Sequence, residues 1–287
     1  MNRYFFNNIT TSFESYRKII NFYHKYKDCS FGRIEISFQQ WFTANLCSAL
    51  GGIIDKLKNS FNDIFFDEIQ NSIKIVFQKN DFLSHFGFQR IEDSNETTIK
   101  FLKLKPNDRG YFNRYISDDL LNNSELPSMG KIMKKNITQS ISELFTNSVS
   151  HSKSEFIYTC GQFFPKKKKI EFTITDTGIG FKNKINNKFN SNLSSIQAIK
   201  WAMADGNSTK ETISGGLGLA IFKEFIKKNR GKLQIISDDG FYQFDSYGEI
   251  TKHFDKPFPG TIVNMQIRTA DEKYYYVSKE EDIETIF

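Results

Sequence analysis

Apolar residues recur at helical spacing in 13–26 (FESYRKIINFYHKY), which predicts a first helix. Residues 32–38 (GRIEISF) alternate like a half-buried strand, and 41–57 (WFTANLCSALGGIIDKL) return to helical spacing. Residues 63–66 and 73–77 are short apolar runs read as strands, and 82–88 are open between a short helix and a turn. Residues 97–104 (TTIKFLKL) alternate as a strand that the turn-forming KPNDRG of 105–110 ends. Beyond Pro127 a long helix is predicted over 131–151, then two strands over 155–164 and 168–175 joined as a hairpin by PKKKK. Helices over 194–204 and 217–228 and strands over 232–236, 241–244 and 261–267 follow, and 279–287 (KEEDIETIF) is an acidic tail. The fold class is α+β in two parts, with a seam between about 90 and 125. The expected divisions are an N-terminal helix in 1–29, a small α/β domain in 30–105, a connecting segment in 106–124, a larger domain in 125–270 and the tail in 271–287.

Composition adds bounds. At 287 residues, 39% hydrophobic and 25% charged, the chain can bury a sizeable core, one unusually rich in phenylalanine with 30 of them. Thirty-nine basic against 33 acidic residues leave a mild excess of +6, spread along the chain. That excess favours phosphate-bearing ligands but does not indicate nucleic acid. The only basic run, 166–169, reads as a solvated hairpin tip, since no aromatic residues interleave with it to stack on bases. Cys29, Cys47 and Cys160 have no CxxC spacing, so neither a disulfide framework nor a zinc site is suggested. No apolar run approaches the roughly 18 residues of a membrane span, and the N-terminus lacks the apolar core of a signal peptide. The expectation is a cytoplasmic protein.

Three motifs carry candidate chemistry. In ISELFTNSVSH, Glu143, Asn147 and His151 recur every four residues, a turn of about 40° each, so carboxylate, amide and imidazole share one stripe while Leu144, Phe145 and Val149 point elsewhere. After the strand IEFTIT, Asp176-Thr177-Gly178-Ile179-Gly180 sets a carboxylate at a strand end before two glycines. Such a turn lets a flat ligand approach the backbone while Asp176 accepts a hydrogen bond from an amino group, though alone it reads equally as a plain turn. In SGGLGLA, Gly216 and Gly218 enter a helix and leave N–H groups free for an anion, with the helix dipole favouring negative charge. No Gly-Lys-Ser/Thr follows, and no strand leads directly in, so this is neither a Walker loop nor a dinucleotide fingerprint.

The order of these motifs over roughly 125–270, ended by Gly260-Thr261 in a strand, resembles the GHKL superfamily of histidine kinases, gyrase and MutL ATPases, heat-shock chaperones and anti-sigma kinases. The resemblance implies a sandwich of a mixed sheet with helices on one face, binding ATP and Mg2+. It implies that Asn147 helps hold the metal, that Glu143 orients or deprotonates an attacking water or hydroxyl, and that Asp176 reads the adenine amino group in a pocket shaped by Gly178 and Gly180. Gly216, Leu217, Gly218 and Leu219 would form the phosphate cradle, Thr261 would support Asp176, and 182–214 would be the ATP lid. Within the lid Ser208, Thr209 and Lys210 are polar candidates for phosphate contact, against a solvated-loop reading. His151 stands evenly between a phosphate contact and a helix-end histidine satisfied by carbonyls.

Residues 30–88 are similar in pattern to STAS-like regulatory domains. The phosphorylatable turn of such domains is degenerate here, FTAN at 42–45, so a structural or partner-binding role is favoured over phosphorylation of Thr43. No phosphoacceptor histidine on a dimerising hairpin is legible, which argues against a self-contained sensor kinase. ELFTNSVSH is closest to the form found in anti-sigma-type stand-alone ATPases. The expected function is an ATP-binding bacterial signalling protein that couples Mg-ATP binding or slow hydrolysis to a protein partner through its N-terminal domain, with a homodimer open. A kinase acting on serine, threonine or histidine of a partner, and the ATPase component of a stress or phage-defence system, are the alternatives.

Overall fold

The computed structural model describes residues 3–152, 154–204, 217–270 and 274–275, with the side chains of 146–152 and 217–221 outside the described set. Five strands make the larger sheet: β4 (Thr98–Leu104), β5 (Ile157–Phe164), β6 (Lys169–Asp176), β7 (Lys232–Asp245) and β8 (Gly248–Arg268). Their spatial order is β4-β5-β6-β8-β7, and every adjacent pair is antiparallel. The α+β class holds, but the sheet expected to be mixed is not: hairpins join β5 to β6 and β7 to β8, and a tight hairpin can only reverse the chain.

Side chains alternate across this sheet. Ile170, Phe172 and Ile174 of β6 and Val263, Met265 and Ile267 of β8 face one core with Ile137, Ile141 and Phe145 of helix α5 (Lys131–Ser152) and Phe222, Phe225 and Ile226 of α8 (Leu217–Lys228). Each such side chain, fully buried, stabilises the fold by about 1.5–3 kcal/mol before entropy is counted. Phe145 stacks on Phe112 at 4.3 Å between centroids. Phe112 lies on α4 (Arg109–Tyr115), a helix that starts within the last two positions of the predicted turn, and helical winding continues through Ile116–Leu121.

The N-terminal part is a three-stranded parallel sheet, β1-β2-β3, from β1 (Arg3–Ile9), β2 (Arg33–Phe42) and β3 (Asp63–Ile69). Helices α1 (Phe13–Tyr26), α2 (Cys47–Lys58) and α3 (Asn71–Lys79) connect or follow these strands. Helix α1 starts at Ser12, whose hydroxyl accepts from Ser15 N at 3.3 Å. Several expectations change here. The run at 73–77 is helix, because Ile73 and Phe77, one turn apart, are buried while Ile75 is 37% exposed. The strand predicted over 97–104 pairs with β5, so the larger sheet begins before the expected boundary at 105. β1 and α1 also belong to the N-terminal unit instead of standing apart as 1–29.

The second face of the larger sheet is covered too, where helices were expected on one face alone. Tyr158, Cys160, Ile236 and Ile262 share a core with α1, α2 and the N-terminal strands. Phe13 of α1 stacks on Phe254 at 4.4 Å and meets Phe241 edge-on, so α1 grips the outer part of the β7–β8 hairpin. Between these apolar contacts runs a buried polar row. Asn45 donates to Thr173 Oγ1 at 2.9 Å and Asn264 Oδ1 at 3.0 Å, Gln162 Oε1 accepts from Ala44 N at 2.7 Å, and the Tyr16 hydroxyl donates to Gln234 Oε1 at 3.1 Å. Gly51 and Gly52 let α2 lie this close: a Cβ on Gly51 would stand 2.8 Å from the Phe101 ring, and one on Gly52 2.8 Å from Thr177 Cγ2. Thr43 is 2% exposed and its hydroxyl donates to Asn45 Oδ1 at 2.6 Å, which withholds it from a modifying enzyme.

Candidate functional site

Antiparallel register sets three polar residues in one row at the end of the sheet: Asp176 of β6 faces Thr261 of β8, which faces Ser237 of β7. Ser237 Oγ lies 3.2 Å from Thr261 Oγ1 and accepts from Phe181 N at 2.8 Å, in the first turn of α6 (Gly180–Phe189). Asp176 is 2% exposed, and its Oδ1 accepts from Gly178 N at 2.9 Å, so the carboxylate is turned by the loop that follows it. Gly260 has φ +143, and a Cβ there would lie 2.1 Å from the carbonyl oxygen of Asp176. Only glycine permits that approach. Gly180, at φ +72, is as constrained: a Cβ would meet Asp238 Oδ2 at 2.6 Å.

Asp238 sits where β7 and β8 slip register, in the left-handed region at φ 53. Burial pushes its carboxyl up to about 6, against the N–H and charge of Lys182, which pull it down, while Asp239 adds to the rise. Its Oδ2 is buried without a hydrogen-bond partner among the described residues. On the other side of the Asp176 turn, Ser154 Oγ accepts from Thr177 N at 3.2 Å and donates to Phe156 O at 2.7 Å. From α2, Lys56 Nζ donates to Thr177 O at 3.2 Å. Burial pulls the Lys56 ammonium below its ordinary range, and the Asp176 carboxylate opposes the shift.

The structure therefore brings together Asp176, Gly178, Gly180 and Thr261, which the motifs single out, and adds Ser237, Asp238, Ser154 and Lys56, which they do not. Ser237 extends the predicted strand 232–236 by one residue; Lys56 carries no signal in the sequence at all. Glu143 is half-buried on α5, whose core face packs on the same sheet. The side chains of Asn147 and His151 lie outside the described residues, as do Lys210 and Gly216 entirely. Leu217, Gly218 and Leu219 open α8, and their side chains lie outside the described set. The expected lid, 182–214, holds most of α6 and all of α7 (Ser195–Met203), which Ser194 caps in a reciprocal pair with Gln197.

A buried carboxylate at a strand end, a turn closed on glycines and a hydroxyl row at its floor suit a flat heterocycle with an exocyclic amino group. A carboxylate such as Asp176 can accept from such a group, while the space beside Gly180 and Gly260 is taken by Asp238 and by the Asp176 carbonyl. Among the described residues no three His, Cys, Asp or Glu side chains are grouped to hold a metal ion, and no helix is long and apolar enough to cross a membrane. No curated protein matches the chain. Residues 133–268, a little under half of the chain, match the family model described as histidine kinase-, DNA gyrase B-, and HSP90-like ATPase, and the segment covers all but the first two residues of α5, the Asp176 turn and the Gly260–Thr261 strand. That part of the chain is a GHKL-type ATPase domain.

Proposed function

We propose that this chain is an ATP-binding regulator, in which Mg-ATP binding or slow hydrolysis near Asp176 is coupled to a protein partner through the N-terminal unit. The observation that supports coupling is the shared core: the N-terminal helices cover the second face of the ATPase sheet and reach the Asp176 turn itself. In this reading Asp176 accepts from the adenine amino group, Gly178 and Gly180 shape the pocket, and Thr261 supports its floor. Gly216, Leu217, Gly218 and Leu219 receive the phosphates, with His151 and Lys210 as further contacts. Asn147 helps hold Mg2+, which when bound neutralises charge on the phosphates, and Glu143 orients or deprotonates the attacking water.

Equilibrium dialysis with Mg-ATP tests the reading. The wild type is expected to bind ATP, Asp176→Asn to lose roughly ten- to hundred-fold in affinity with its fold intact, and Glu143→Ala to bind normally while turnover stops. A folded wild type that binds no adenine nucleotide refutes the reading. Transfer of γ-labelled phosphate to a protein in cell extract, without release of free phosphate, would make the chain a kinase instead.

A further inference from the structure

The face that α2 turns to the larger sheet reads Ser48, Gly52, Lys56, one residue per helical turn; Ser48 touches the end of β6, and Gly52 and Lys56 touch Thr177 just beyond it. Ser48 Oγ lies 3.3 Å from Thr175 Oγ1, Gly52 leaves room for the Thr177 methyl, and Lys56 donates to Thr177 O at 3.2 Å. Asp55 anchors the helix beside them, its Oδ2 taking the Tyr158 hydroxyl at 2.7 Å and Lys103 Nζ at 2.6 Å. The position of Lys56 is thus fixed by its neighbours on the helix and not by its own flexible stem.

The carbonyl that Lys56 holds belongs to the same peptide unit as Gly178 N–H, and that N–H turns the Asp176 carboxylate. A peptide unit is planar and moves as one body. Holding the oxygen end fixes the N–H end, while Ser154 holds the preceding peptide through Thr177 N. The ammonium also attracts the Asp176 carboxylate directly. We infer that Lys56, from the N-terminal unit, is a positioning residue for the nucleotide site: it fixes the Thr177–Gly178 peptide and through it the carboxylate that reads the base. Any partner that shifts α2 then alters base recognition across the sheet. The inference rests on the proposed ATP site and names how that site is regulated.

The test compares ATP with inosine triphosphate, which lacks the 6-amino group, by equilibrium dialysis on the full chain. Lys56→Met is expected to weaken ATP roughly ten-fold while moving inosine triphosphate less than about three-fold, as for the removal of one charge-assisted hydrogen bond that acts through an intervening peptide. Lys56→Arg, which keeps charge and donor, is expected to restore ATP to within about three-fold of wild type. Lys58→Met, on the same helix with its ammonium over the Phe86 ring, is expected to change neither ligand. If Lys56→Met does not fold, Lys56→Gln makes the same comparison. A wild type that binds ATP together with a folded Lys56 variant that binds it equally well, or that loses both nucleotides equally, overturns this inference alone. A wild type that binds no ATP overturns it together with the proposed function.

Discussion

Replacing Asp238 by asparagine should change how stability depends on pH, and the size follows from the site. The carboxyl rises from 3.8 to about 6 in the folded chain. Two units at about 1.4 kcal/mol each would make about 3 kcal/mol, and partial exposure of the group to solvent reduces the expected effect to about 1–2 kcal/mol. Between those two values the folded chain keeps a proton that the unfolded chain has released. Stability from this group is therefore full below about pH 3.8 and falls as pH rises to about 6, after which it is flat. An asparagine at this position has no proton to release and no such slope. Urea unfolding of both proteins at about pH 4 and about pH 7.5 isolates the contribution of Asp238, because the other carboxylates contribute alike to both and cancel. The amide itself adds a constant offset, since its nitrogen enters a place where Oδ2 already lacks a partner, but an offset does not tilt the difference. The variant should gain about 1–2 kcal/mol relative to wild type between the two pH values. A difference that stays constant within about 0.5 kcal/mol would refute the assignment of a raised carboxyl to Asp238.

Two further substitutions test the frame around the site. Gly260→Ala puts a Cβ 2.1 Å from the Asp176 carbonyl, backbone against backbone, and should cost about 3 kcal/mol or more, read as a fall in Tm of roughly 6–12 °C, with nucleotide affinity lost alongside. Asn45→Ala removes a buried amide that donates to Thr173 and Asn264 and should destabilise by about 2–4 kcal/mol in denaturant unfolding; a loss under about 0.5 kcal/mol would mean that the polar row does not hold the N-terminal unit to the sheet.

Much of the ATPase part is legible in the sequence because its signals are local. Helix α5, the β5–β6 hairpin and the turn at Asp176 follow from spacing and glycines within a few residues. Pattern misleads where a short apolar run satisfies both periods, as at 73–77, or where an element is named by its partner, as with β4, whose alternation says strand but not which sheet. Thr261 stands out beside its glycine. Ser237 and Asp238 do not, because nothing in Ser-Asp-Asp-Gly distinguishes a polar row beside the Asp176 turn from an ordinary turn until β8 pairs with β7.

The sequence by itself determined the local rules: which residues alternate, where the chain must turn, and that glycines stand at 180 and 260, positions whose backbone is closed to a side chain. Only the tertiary structure decided what covers the second face of the large sheet. Gln162, Glu171, Thr173, Gln234 and Asn264 alternate with the apolar core positions, a pattern that by itself describes a face turned to water. They are buried because Asn45, Tyr16 and the backbone at Ala44 replace that water with hydrogen bonds from residues more than 100 positions away. A polar side chain is satisfied equally by water or by a well-placed partner, so its identity cannot say which it has, and Lys56 at the Asp176 turn is the consequence.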